Sequence, residues 1–180
     1  MQNTKVRTAV VGAGKMGTIH AKVYDQLEQS DFVAVVDIDA NKALIMRFSD
    51  MVRTADWDAL DEILTENFQR HCQATPEVKI TSREEFKDLQ RGYVVGFPDQ
   101  RVTVEFMVAE GDYVAAYGAY MATHTGPMGD IPATGKTVDV KMITIFRIEG
   151  EKIAEIWVEW DNMAMLSQLG LFPPPASTET

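Results

Sequence analysis

Side chains able to move protons near neutral pH are few in this chain. It carries three histidines, His20, His71 and His124, and one cysteine, Cys72. An imidazole titrates at about pH 6.5 and is the usual general base. His71 follows Phe68 at the end of a helical stretch, and His124 ends a strand beside the Gly126-Pro127-Met128-Gly129 loop. Asp161, at the close of the last strand-like run, is a third candidate for acid/base work. Each histidine also has a structural reading: a hydrogen-bonded scaffold residue at 71, a loop anchor at 124, a helix-face residue at 20. Scattered in this way, three histidines and one cysteine lack the spacing of metal ligands, so no metal is expected.

A second chemistry is written near the start. Gly12, Gly14 and Gly17 follow the apolar run Thr8-Ala9-Val10-Val11 and open a stretch in which Met16, Ile19, Val23 and Leu27 recur at helical spacing, with Tyr24 beside them. Phe32-Val33-Ala34-Val35-Val36 reads as a second strand, closed by Asp37. Such a βαβ unit holds a pyrophosphate on its glycine turn and a ribose hydroxyl on its terminal acid. The run Val6-Arg7-Thr8-Ala9-Val10-Val11-Gly12-Ala13-Gly14-Lys15-Met16-Gly17-Thr18-Ile19-His20-Ala21 resembles the start of the Gfo/Idh/MocA oxidoreductases. That resemblance implies NAD(P) on Gly12, Gly14, Gly17 and Asp37. It ends after about 40 residues, without the further strands, the Glu-Lys-Pro motif or the substrate domain of that family. Residues 1–39 are therefore an incomplete Rossmann-like fragment, read either as a nucleotide site or as a fusion remnant or docking element.

From Ala40 the pattern changes. Leu44, Phe48, Met51 and Val52 make one helical stripe, and Asp56 caps a helix carrying Trp57, Leu60, Ile63 and Leu64. Ser82 with Glu85 forms a capping box ahead of Phe86, Leu89, Tyr93, Val94 and Phe97, and Pro98 stops that helix. Strands are expected over Arg101–Ala109, Tyr113–Thr125, Thr137–Glu149 and Lys152–Asp161, with turns at Glu110-Gly111-Asp112 and Glu149-Gly150-Glu151. A short helix over Asn162–Leu169 follows, and residues 173–180, opening with Pro173-Pro174-Pro175, read as a disordered tail. Helices first and long antiparallel strands afterwards is an α+β order. On one strand Val138, Val140, Met142, Thr144, Phe146 and Ile148 share a face; on the next Ala154, Ile156, Val158 and Trp160 do. Both faces are nearly all apolar and should line a cavity.

Phe97-Pro98-Asp99-Gln100-Arg101-Val102-Thr103-Val104, Thr123-His124-Thr125-Gly126, Ile131-Pro132-Ala133-Thr134-Gly135-Lys136, Ile145-Phe146-Arg147-Ile148 and Gln168-Leu169-Gly170 resemble the SnoaL-like polyketide cyclases of the nuclear transport factor 2-like superfamily. The match runs from about Asn41 to Leu171, within a domain bounded at 40–172. It implies a cone-shaped α+β fold, helices on a curved antiparallel sheet, with one deep apolar pocket, often in a dimer joined through the sheet. It also implies cofactor-independent, metal-free ring closure by aldol chemistry on a pocket Asp, with a histidine on the preceding strand and another near the cavity mouth, where His71 stands. The first two positions are occupied here by Val158 and Thr144. Trp57, Tyr93, Tyr117, Tyr120, Phe146 and Trp160 are the aromatic candidates for core or pocket wall.

A net charge of −10 argues against nucleic acid or an anionic membrane as partner. No apolar run nears the roughly 20 residues that span a bilayer, and a lone cysteine fits a reducing, cytoplasmic setting. The expected function is binding of a small hydrophobic, carbonyl-bearing ligand by a homodimer. The protein acts either as a cyclase or isomerase using His71, His124 or Asp161 in place of the missing Asp, or as a non-catalytic binding or dimerisation module. A nicotinamide-dependent oxidoreductase is the third possibility.

Overall fold

Period-two burial along the C-terminal strands organises the molecule. In a computed structural model, which describes residues 6–11, 15–27, 30–36 and 40–172, two sheets form. The smaller pairs β1 (Val6–Val11) in parallel with β2 (Ser30–Val36), joined by α1 (Lys15–Gln26). Gly12, Gly14 and Asp37 lie outside the described residues, and Gly17 falls within α1. Tail residues 173–180 lie outside them as well.

The larger sheet has five strands in the order β3-β7-β6-β5-β4. These are β3 (Leu64–His71), β4 (Arg101–Glu110), β5 (Tyr113–Thr123), β6 (Thr137–Glu149) and β7 (Lys152–Trp160). Neighbours from β4 to β7 are antiparallel, whereas β3 adds to β7 in parallel. Along β6, Val138, Val140, Thr144, Phe146 and Ile148 are buried while Asp139, Lys141, Ile143 and Ile145 are exposed, so one face meets the core. Gly118 lets the sheet bend: a Cβ there would collide with the Thr103 carbonyl oxygen, beside the register shift between Val104 and Phe106.

Four helices accompany this sheet: α2 (Ala40–Thr54), α3 (Leu60–Ile63), α4 (Arg83–Gly96) and α5 (Asn162–Leu169). At the start of α4, Ser82 Oγ accepts from the Glu85 amide at 3.2 Å, and Glu85 reaches back to the Thr81 amide at 2.7 Å. The helix expected around Trp57 is short. Only Leu60–Ile63 is helical, and the next residues, Leu64 onward, form β3 instead. Leu64, Phe68 and Arg70 point inward from this strand, a spacing that fits a sheet and not a helix.

The core falls into two clusters. In the first, the Phe48 ring meets Phe86 and Phe146 at 5.9 and 5.6 Å, and Phe68 meets Phe86 at 4.9 Å. The second gathers Phe97, Ala122, Val138, Val140 and Leu169.

Candidate functional site

The walls of one cavity, of about 170 Å³, draw on both clusters. Phe48 and Val52 face it from α2, and Phe86, Gln90 and Tyr93 from α4. Sheet strands supply Ala116 and Tyr120 from β5, Val140, Met142, Thr144 and Phe146 from β6, and Ile156, Val158 and Trp160 from β7. Met165 of α5 and Phe97, just after α4, also belong to the lining. The inward phase of three neighbouring strands thus becomes a greasy wall.

Thr144 and Val158 are direct cross-strand partners and both line the cavity, with 8% and 7% of their surfaces exposed. A hydroxyl and an isopropyl group therefore stand side by side on the cavity wall. Among the described residues no Asp, Glu or His lines the cavity.

The three acid/base candidates are not brought together. His71 ends β3 beside Trp157, on whose ring it stacks at 5.0 Å, and its Nε2 lies 3.0 Å from Glu155 Oε2. It does not line the cavity. Burial alone would raise the Glu155 pKa, but hydrogen bonds from His71 and Arg147 outweigh it and hold the carboxyl below its ordinary range. His124 is wholly buried. Its Nδ1 accepts from the Thr134 amide at 3.3 Å, which places the proton of the neutral ring on Nε2. That Nε2 has no partner among the described residues. The His124 ring stacks on Phe97 at 5.0 Å, and Phe97 is itself a wall residue, so the imidazole sits one ring behind the cavity. Asp161 caps α5, its Oδ1 accepting from the Ala164 amide at 2.9 Å, and is exposed.

Aromatic candidates divide. Tyr93, Tyr120, Phe146 and Trp160 line the cavity. Tyr117 belongs to the wall, but its ring stacks at 5.3 Å on exposed Phe106. Trp57 packs against the first core cluster instead. Burial raises the phenol pKa of both Tyr93 and Tyr120, so each keeps its proton at neutral pH and is a donor, not a base. The Trp160 indole N–H is buried without an acceptor among the described residues. Polar wall residues that sequence reasoning passed over include Arg70, Gln90 and Gln100. Arg70 shares the inward face of β3 with Phe68, a placement that becomes visible only once that strand is known.

Among the described residues no helix is long and apolar enough to cross a membrane, and no group of three or more His, Cys, Asp or Glu could hold a metal ion.

The sequence pattern of the SnoaL-like polyketide cyclases matches residues 43–169. Among solved structures, TsrD from Streptomyces laurentii is 27% identical, with 76% of this chain and 99% of that one covered at a TM-score of 0.66. IdmH from Streptomyces antibioticus is 26% identical, with 72% and 98% covered at 0.65. A SnoaL-like polyketide cyclase from Agrobacterium tumefaciens shares the fold at 20% identity, with 72% and 98% covered and a TM-score of 0.60. No curated protein matches.

Proposed function

The chain belongs to the SnoaL-like polyketide cyclase family, and from that premise we propose that its cavity binds a small hydrophobic molecule bearing a carbonyl group. The observation that carries this is the cavity's make-up. Its walls are largely apolar, and the buried, unpartnered Trp160 N–H, with the Tyr93 and Tyr120 hydroxyls on the same wall, offers donors with which a carbonyl or enolate oxygen can pair. A cyclase or isomerase of this kind needs no cofactor: the donors hold the oxygen while a base takes a proton from the neighbouring carbon. His124 is the candidate for that base, because it alone of the three lies directly behind a wall residue, and it can take a proton only once its Nδ1 is released from the Thr134 amide. Reaching the cavity requires Phe97 to swing aside.

A second reading, a non-catalytic binding module, is favoured by Val158 and Thr144 in the two positions that ring closure would use. Val158→Asp separates the two. Turnover of an aldol-competent polyketide-like substrate by Val158→Asp, with none by the native protein, supports the binding module. Turnover by the native protein that is lost in His124→Ala supports the enzyme.

The homodimer is part of the same proposal. Val108, Met121, Ile143 and Ile145 are exposed on the neighbouring strands β4, β5 and β6 and would supply the apolar part of such an interface.

A further inference from the structure

We infer that the ligand is an anion: a hydrophobic molecule carrying one carboxylate, which pairs with Arg70 inside the cavity. This rests on the hydrophobic-ligand reading above and specifies its charge. Arg70 is only 6% exposed and belongs to the cavity wall. Its guanidinium has five donors, yet the side chain's one partner among the described residues is the Thr75 hydroxyl, 3.3 Å from one terminal nitrogen and 3.4 Å from the other. No carboxylate lies within 4 Å of it among those residues. Burying a cation beside a neutral acceptor alone is costly, and proteins that keep such a group ordinarily supply its counter-charge.

The cavity itself provides none. Arg70 is its one charged lining residue among those described. The groups nearest in character are neutral. Gln90 and Gln100 line the wall with amides that make no side-chain hydrogen bond among the described residues. Tyr93 lies close enough for the Arg70 charge to act on its phenol, and the Glu77 carboxylate acts on the same phenol from outside the cavity lining without forming an ion pair with Arg70 among the described residues. One positive charge, flanked by amides and a protonated phenol, matches a monoanion. A phosphate, with up to two charges, would find no second cation. The planar fork of arginine suits the two oxygens of a carboxylate, and apolar walls remain for the rest of the molecule. The overall charge of −10 does not attract such a ligand, so its selection falls to this single buried group.

Calorimetric titration with naphthalene-2-carboxylate and its uncharged analogue naphthalene-2-carboxamide tests the inference. The acid is expected to bind at least about tenfold more tightly to the native protein. Arg70→Met should abolish that advantage while leaving amide affinity within about twofold. If Arg70→Met does not fold, Arg70→Lys takes its place, retaining the charge but losing the fork and part of the preference. Equal affinities in the native protein, or an undiminished acid preference in the variant, overturn the inference and leave the hydrophobic-ligand reading standing. So does binding of the neutral fluorophore N-phenyl-1-naphthylamine when neither naphthalene compound binds. Failure of all three to bind removes both.

Discussion

Asp99 shows how one residue can fasten the cavity rim. It sits between Phe97 and Gln100, both wall residues, and its carboxylate accepts from the Thr123 amide at 2.7 Å and the Thr123 hydroxyl at 2.8 Å. Those two bonds hold its pKa below the ordinary 3.8. A carboxyl with a depressed folded-state pKa contributes stability that is complete above the unfolded value and is lost as pH falls through the folded one. Asp99→Asn should therefore melt below the native protein at neutral pH, with the gap narrowing as pH drops below the ordinary carboxylate range, followed by thermal denaturation across that range. Both residues were visible in the sequence as parts of family motifs, but their pairing was not, because Thr123 lies on the far side of a hairpin. Arg70 was hidden for a different reason. An arginine in a polar run reads as solvent-facing until the strand that turns it inward is known.

Elements with strong periodicity or sharp punctuation could be read directly. The observed β6 and α5 keep their expected bounds, and α4 ends at Gly96, just ahead of Pro98. The strand β3 could not be read. Leu64-Thr65-Glu66-Asn67-Phe68-Gln69-Arg70-His71 has too few apolar or β-branched residues to announce itself. It exists because β7 offers a free edge, a long-range cause invisible in a local window. Asp161 illustrates the opposite ambiguity, since a carboxylate at a strand end and one at a helix start are the same letter. As an N-cap, Asp161→Ala should cost about 1 kcal/mol in denaturant unfolding and leave naphthalene-2-carboxylate affinity unchanged. Loss of binding without loss of stability would instead return it to the site.

For the whole molecule, both core clusters and every strand of the larger sheet come from residue 44 onward, and β1–β2 pairs with none of them. Removing residues 1–38 should therefore leave a protein with unchanged ligand affinity and a cooperative melt followed by circular dichroism; an unfolded product would show that the first segment is integral. The outer sheet face makes its own prediction. Ile143→Glu should shift a dimer to monomer in sedimentation velocity, while a native protein that sediments as a monomer would remove the face as an interface. The parallel seam between β3 and β7 has a further consequence, for synthesis. His71 and Glu155, which meet across it, are 84 residues apart. At ribosomal speeds of about 5–20 residues per second, the first of these emerges roughly 4 to 17 seconds before its mate. For that interval the nascent segment carrying Phe68 and Arg70 has no edge to dock on, and a holdase that shields it would raise the yield of finished protein.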